Sequence, residues 1–353
     1  MIMHFVEFMQ VNGHQELAVW TDPAAGLKAF IAIHDTTLGP SMGGTRIWPH
    51  ATDDDAIMDV LRLSKAMTYK SAAAGLAFGG GKGLVVADPR TDKTEAMFRS
   101  YGRFVETLNG RYVTTEDVGA TAREMEWISH ETKHVLGLPE SLGGSGNPAV
   151  VTGYGVYQAM RACAIAQWGS DSLEGKTIAI QGFGNVANSL VGYLRDAGAK
   201  LVITDIYEAV RARAAELPGV EIVGPDDIYD VAADVFAPCA LGGVLNEDTI
   251  ARLQVPIVCG AANNQLGDED VDAERLRQRG IIYAPDYIVN AGGVINVASE
   301  YAGPYNRDAA MAKAGEIFDT VTSVIQRSRN EGITTEKAAD DIAEQRIAAG
   351  RAK

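Results

Sequence analysis

The sequence predicts an α/β fold in two domains separated by a cleft, an N-terminal α/β domain followed by a doubly wound one. Three observations carry the prediction. At 353 residues and 46% hydrophobic content, the chain exceeds what one core usually serves. The stretch GLPESLGGSGNP, from Gly137 to Pro148, has no periodicity and many chain breakers, which marks a junction. Beyond it, continuous apolar runs alternate with helical stretches, the pattern of a parallel sheet covered on both faces. The domains are expected at 1–140 and 141–330, with a C-terminal helix within 331–353 returning to the first.

In the first domain, Thr52 with Asp55, ahead of Ile57, Leu61, Leu63 and Met67, reads as a capped helix with an apolar inner face that Lys70 closes. Thr94 opens a second helix, with Met97, Phe98, Tyr101, Phe104, Val105 and Leu108 at helical spacing and Asn109-Gly110 as its stop. Arg111 to Thr115 reads as a short strand that delivers Glu116-Asp117 to a turn at Gly119, after which Thr121 and Glu124 restart a helix. In the second domain, strands are expected at Thr177-Ile-Ala-Ile, Lys200-Leu-Val-Ile, Asp234-Val-Phe-Ala, Ile257-Val-Cys and Ile281-Ile-Tyr-Ala. Helices at about 307–329 and 335–349 close the chain.

Composition narrows the function. Lys+Arg is 31 against Asp+Glu 46, a net charge of −15, and no basic block offers a grip on nucleic acid or an anionic membrane. No run reaches the roughly 18 apolar residues of a spanning helix. The start, MIMHFVEFMQ, resembles no cleaved leader, so a soluble protein is expected. Cys163, Cys239 and Cys259 are odd in number, far apart in sequence and set among apolar neighbours. That suits ordinary buried thiols in a reducing cytoplasm.

Thr177 to Ala187 gives a strand, then Gly182-x-Gly184-x-x-Ala187, then a helix opening on Asn185 and Val186. The first glycine allows the tight turn and the second admits a pyrophosphate, while Ala187 lets helix and strand pack closely. Phosphates would meet the helix N-terminus, where unpaired N–H groups favour anions. The next strand ends in Asp205, 23 positions after Gly182, where a ribose hydroxyl needs an acceptor. This is a Rossmann-type arrangement. Asp205 repels a 2′-phosphate, so NAD is expected over NADP, with Arg211 and Arg213 expected in solvent. Cys239 and Ala240 are counted with the cofactor-binding residues.

The stretch GLAFGGGKG, Gly75 to Gly83, sets Lys82 among glycines, twelve positions after Lys70. It is not a P-loop, because Leu76 and Gly83 stand where that pattern needs Gly and Ser or Thr. It reads as a loop whose glycines let backbone crowd a ligand. Lys70 closes a helix face and Asp117 ends a strand. Burial and a nearby cation both lower a lysine pKa. One lysine could therefore hold a substrate carboxylate while the other becomes a base near neutral pH.

Six blocks in order carry a resemblance: Pro40-Ser-Met-Gly-Gly-Thr-Arg46, Met67-Thr-Tyr-Lys70, Gly79-Gly-Gly-Lys82, Glu116-Asp-Val-Gly119, Gly260-Ala-Ala-Asn-Asn264 and Asn290-Ala-Gly-Gly-Val-Ile-Asn296. From about Gly26 to Arg346 the chain resembles the amino acid dehydrogenases that act on glutamate, leucine, phenylalanine and valine. Ser145-Gly-Asn-Pro148 and Ser172 to Thr177 make it most similar to the leucine-type members. The resemblance implies that Lys70 binds the substrate carboxylate and that Lys82 activates the water attacking an imine. It implies that Asp117 moves protons to and from the amine and helps keep Lys82 neutral. Gly43 would touch substrate through its backbone, and Thr152 and Asn263 would place the nicotinamide. The implied reaction is hydride transfer from the amino acid Cα to NAD, then hydrolysis to the 2-oxo acid and ammonia, reversibly. A homo-oligomer, dimer or octamer, is implied as well.

Glutamate-specific relatives carry a lysine where this chain has Met42, so acidic substrates should be rejected. By the same resemblance Met42, Thr115, Val294 and Val297 line the side-chain pocket, with Thr115 where leucine-type relatives carry alanine. Phenylalanine, valine or tryptophan is the alternative preferred substrate. A non-catalytic NAD-binding sensor is the rival class, against which the joint presence of Lys70, Lys82 and Asp117 argues. His130-Glu-Thr-Lys-His134 satisfies the helical zinc pattern H-E-x-x-H, but Gly137 follows soon after. It is read as a solvated helix face, with no metal.

Overall fold

The computed structural model describes residues 5–301 and 303–352, so Met1–His4, Ala302 and Lys353 of the expected domain ranges lie outside the described residues. The chain forms two units. One runs through Gly146 and takes back Val297–Arg307 and the chain from Ala343 on; the other comprises Asn147–Asn296 and Asp308–Ile342.

The first unit is built on five strands, β1 (Glu16–Asp22), β2 (Leu27–Asp35), β3 (Ser41–Ile47), β4 (Gly79–Val85) and β5 (Tyr112–Glu116), in the order β1-β2-β4-β3-β5. β1, β2 and β4 pair antiparallel, whereas β3 runs parallel to both β4 and β5. Phe30, Ala32 and Leu84 pack under Ala56, Ile57, Val60 and Leu61 of the helix Asp53–Ala73. The opposite face, with Ile31, Ile33, Val85 and Tyr112, packs on Phe98, Tyr101 and Phe104 of Glu95–Thr107 and on Met125 and Ile128 of Ala122–Ser129. The helix Asp53–Ala73 starts as its sequence requires, with the Asp55 amide donating to the Thr52 hydroxyl (3.1 Å) and three aspartates in the first turn. At its far end Arg346 donates to the carbonyl of Ala72 (2.9 Å), closing orphan acceptors that the last turn leaves.

The Lys82 segment is not a loop. It is β4, buried along its whole length. Its glycines make room for protein: a Cβ at Gly80 would lie 2.1 Å from the Thr68 amide nitrogen, at Gly81 2.7 Å from the Tyr112 ring, and at Gly83 2.0 Å from the Tyr101 hydroxyl. The strand is stripped of side chains so that a helix can lie on one face and two tyrosines on the other.

The second unit carries β6 (Thr177–Gln181), β7 (Lys200–Thr204), β8 (Val220–Ile222), β9 (Val235–Pro238), β10 (Ile257–Val258) and β11 (Ile282–Tyr283), all parallel, in the order β11-β10-β9-β6-β7-β8. This is the doubly wound order, reversing between β6 and β9. The helix Ala149–Trp168 packs on Asn185–Asp196 at Gly153, where a Cβ would sit 2.9 Å from the Leu190 amide nitrogen. The helix expected at 307–329 is two, Arg307–Gly315 and Ile317–Glu331. The break falls at Glu316, straight after Gly315, a residue type among the poorest helix formers. Among the described residues no helix is long and apolar enough to cross a membrane.

Candidate active site

The register of the first sheet assembles one group of candidate residues. Ala32 pairs with Lys82, Gly44 pairs with Thr115, and β3 meets β4 with Met42 beside Gly80 and Thr45 beside Gly83, which sets Gly44 next to Lys82. Side chains two apart on a strand share a face, so Met42, Lys82 and Thr115 lie on the face covered by the helix Asp53–Ala73. Lys70 is in the last turn of that helix. Gly44 explains how Asp117 reaches Lys82: a Cβ there would lie 2.6 Å from the Asp117 Cβ and 2.4 Å from the Glu116 carbonyl oxygen. The empty position is filled by the turn that delivers the carboxylate.

Lys82 Nζ contacts Asp117 Oδ2 at 2.6 Å, with 6% and 23% of the two side chains exposed. Burial drives the Lys82 pKa below its ordinary value, against the pull of Asp117, and the guanidinium of Arg46 lowers it further. Burial opposes ionisation of Asp117 too, but Lys82 and then Arg46 outweigh it and hold the carboxyl low. In this state, then, Asp117 stabilises the charged form of Lys82 and does not keep it neutral. Arg46 Nε donates to the same Asp117 oxygen at 3.2 Å, and Asp59 and His50 stand behind it. Arg46 closes the block Pro40–Arg46, but its role is not legible in sequence, because the contact spans 71 positions.

Met42 is fully buried. Thr115 is 7% exposed, and its buried hydroxyl has no hydrogen-bond partner among the described residues. Gly43 packs against Gly81, and its carbonyl accepts the Tyr112 hydroxyl at 2.7 Å. Val297 belongs to the first unit and Val294 to the second. Both are buried on the helix Gly292–Ala298.

In the second unit, Gly182 takes φ +95° at the end of β6, and a Cβ there would lie 2.7 Å from that of Ala240. Cys239 donates its amide to the Gln181 carbonyl at 2.7 Å, and burial pushes its thiol up to about 11. Cys163 and Cys259, distant in sequence, come into side-chain contact in the same unit. Gly184 caps the helix Asn185–Asp196, which has no side-chain cap, and faces open space. Such an uncapped N-terminus at the switch point fits a pyrophosphate, with Asn185 and Val186 in the first turn. Asp205 Oδ2 accepts from the Phe183 amide (2.9 Å) and Oδ1 from the Tyr207 amide (3.0 Å), which fixes the carboxylate beside the turn. Arg211 and Arg213 are not simply in solvent, since they donate to the carbonyls of Asp205 and Phe183. The Asn290 amide donates to Asn263 Oδ1 at 2.8 Å. Gly292 and Gly293 pack on Thr152, whose hydroxyl donates to the Pro148 carbonyl. Asn290, which opens the block Asn290–Asn296, thus holds Asn263 through a contact 27 positions long that no local pattern announces.

The H-E-x-x-H segment is not a helix face. The helix Ala122–Ser129 ends at His130, Glu131 accepts from Arg99 Nε (2.7 Å), and His134 is largely buried against Gly110.

A glycine turn at a switch point, an uncapped helix and an acid ending the second strand define the dinucleotide-binding class of doubly wound proteins. The model of the Glu/Leu/Phe/Val dehydrogenase dimerisation domain matches residues 14–134, and that of glutamate/leucine/phenylalanine/valine dehydrogenase matches 143–213 and 203–351. Leucine dehydrogenases of Thermoactinomyces intermedius and Geobacillus stearothermophilus are 51% and 50% identical, each comparison covering 98% of this chain and 94% of the relative. The solved L-tryptophan dehydrogenase of Nostoc punctiforme superposes with a TM-score of 0.88 at 40% identity, over 99% of this chain and all of that one. The chain belongs to the Glu/Leu/Phe/Val dehydrogenase family.

Proposed function

We propose that the chain catalyses reversible, NAD-dependent oxidative deamination of an apolar, branched-chain L-amino acid to its 2-oxo acid and ammonia. The observation that carries the reading is the buried Lys82–Asp117 pair at 2.6 Å, on a sheet face shared with Met42, in a chain 51% identical to a leucine dehydrogenase.

The first unit binds and transforms the amino acid, and the second holds the cofactor. Lys70 holds the substrate carboxylate, and Gly43 contributes backbone. Lys82, whose charge is costly in its buried site, gives up a proton and serves as the base toward water. Asp117 carries protons between the amine and Lys82. Met42, Thr115, Val294 and Val297 meet the apolar side chain. Gly182, Gly184, Asn185, Val186, Cys239 and Ala240 cradle the dinucleotide, Asp205 takes the ribose, and Thr152 and Asn263 orient the nicotinamide. That ring, when bound, accepts the hydride. NAD would be favoured over NADP, because Asp205, fixed beside the glycine turn, would repel a 2′-phosphate. The cytoplasm is the proposed compartment. A homo-oligomer is the proposed assembly, supported by the dimerisation-domain match.

The test is a panel of apolar amino acids and their 2-oxo acids with both nicotinamide cofactors, run on the wild type and Lys82→Ala. The variant should lose turnover yet keep NAD affinity. NAD binding without turnover by the wild type on any of the panel would favour a sensor.

A further inference from the structure

The acid–base pair is held by residues that are part of neither lysine site. Lys82 Nζ (2.6 Å) and Arg46 Nε (3.2 Å) both meet Asp117 Oδ2. Arg46 turns its Nη1 to Asp59, 3.1 Å from Oδ2 and 3.3 Å from Oδ1, and the His50 ring nitrogen Nε2 lies 3.2 Å from that Oδ2. About three-quarters of the Arg46, Asp59 and Asp117 side chains is covered. A guanidinium offers several donors in a fixed plane. Here that plane links β3 to the helix Asp53–Ala73 and sets the carboxylate ending β5.

We infer that Arg46, braced by Asp59, is a positioning residue: by holding Oδ2 of Asp117 it fixes Oδ1 as the oxygen that exchanges a proton with the substrate nitrogen. The assignment rests on the proposed reaction. In the deamination direction an N–H bond of the substrate ammonium breaks and an Oδ1–H bond forms, and the same proton returns to nitrogen when ammonia departs. Without Arg46, Lys82 and the Val118 amide alone hold the carboxylate, which then turns toward Lys82, strengthening the ion pair and drawing the acceptor away from the substrate nitrogen. Arg46 also repels the Lys82 ammonium, so its charge favours the neutral base, in line with the direction already noted for Lys82. The other charged or titratable groups that bear on the pair are Asp59, with His50 behind it, and Tyr112, whose hydroxyl feels the Asp117 charge; Lys70 lies in the last turn of the helix that carries Asp59.

The test compares wild type, Arg46→Gln, Arg46→Lys and Asp59→Asn by the pH dependence of kcat and kcat/KM for L-leucine, alongside NAD affinity and circular dichroism. In Arg46→Gln, kcat should fall about a hundredfold, the loss expected for a misplacement of about 1 Å. The acid limb should move to higher pH, because a repelling charge has gone, and NAD affinity should stay unchanged. Arg46→Lys keeps the charge and guards against misfolding. It should restore the acid limb but only part of the rate, since an ammonium lacks the fork that spans two carboxylates. Asp59→Asn should give an intermediate loss. Folded Arg46 variants with wild-type kcat and pH profile would overturn the assignment alone. A wild-type protein inactive on every apolar amino acid would overturn the reaction and the assignment together.

Discussion

Gly44→Ala is the sharpest perturbation of the substrate-side geometry, because it adds one methyl group at the point where the Asp117 turn crosses β3. The new Cβ would lie 2.4 Å from the Glu116 carbonyl oxygen and 2.6 Å from the Asp117 Cβ, whereas ordinary contact begins at 3.4 Å. Relief therefore requires the turn to retreat by about 1 Å, a displacement that costs about a hundredfold in rate when it falls on a catalytic group. Neither neighbour is the end of a flexible side chain, so the strain should also cost about 1–3 kcal/mol of stability. The assay is steady-state oxidation of L-leucine with saturating NAD, with NAD affinity and thermal unfolding measured in parallel. Gly192→Ala is the control, since its Cβ would meet nothing within 4 Å and its position in a helix favours alanine by about 0.5–1 kcal/mol. Gly44→Ala should lose turnover and keep NAD affinity, while Gly192→Ala keeps both. Wild-type kcat in a folded Gly44→Ala protein would refute the argument that this glycine exists to admit Asp117.

Two further outcomes follow from buried groups. Met42 is fully buried and, in the proposed pocket, stands where an acidic substrate would need a cation, so kcat/KM for L-glutamate should lie about a thousandfold or more below that for L-leucine, as a desolvated, unpaired carboxylate costs several kcal/mol; comparable values would contradict the pocket assignment. Glu336 Oε2 is buried without a hydrogen-bond partner among the described residues, and burial, then Asp286, Asp340 and Glu269, raise its pKa well above the ordinary range. Below the unfolded-state value both forms are neutral, so Glu336→Gln should change little near pH 4. Once the folded state too is forced to ionise, the wild type carries the full cost, and the variant should be more stable by about 1–3 kcal/mol at alkaline pH; equal unfolding temperatures at both pH values would remove the argument.

What could be read from sequence follows the range of the interactions. The dinucleotide turn was legible because its strand, glycines, helix start and acid lie within a short span, and each residue type answers a local demand. β4 was not, because Gly79-Gly-Gly-Lys-Gly83 has no alternating side chains and reads as a loop until the helix and the two tyrosines are in place. β8 is three residues long, too short for periodicity to mark, whereas β10 and β11, shorter still, were legible from the apolar runs that contain them. The Arg46–Asp117–Lys82 cluster joins three strands across turns whose geometry no local pattern encodes. The H-E-x-x-H segment misled in the opposite way: its spacing suggests a helix, but the helix stops at Ser129.

The most direct measurement of the central claim is the stoichiometry of the reaction itself. Purified protein is incubated with L-leucine and NAD at alkaline pH, and reduced cofactor, ammonia and the 2-oxo acid are quantified together. The account predicts one of each per turnover, with none produced by Lys82→Ala. Reduced cofactor without ammonia, or equal turnover by Lys82→Ala, would contradict it.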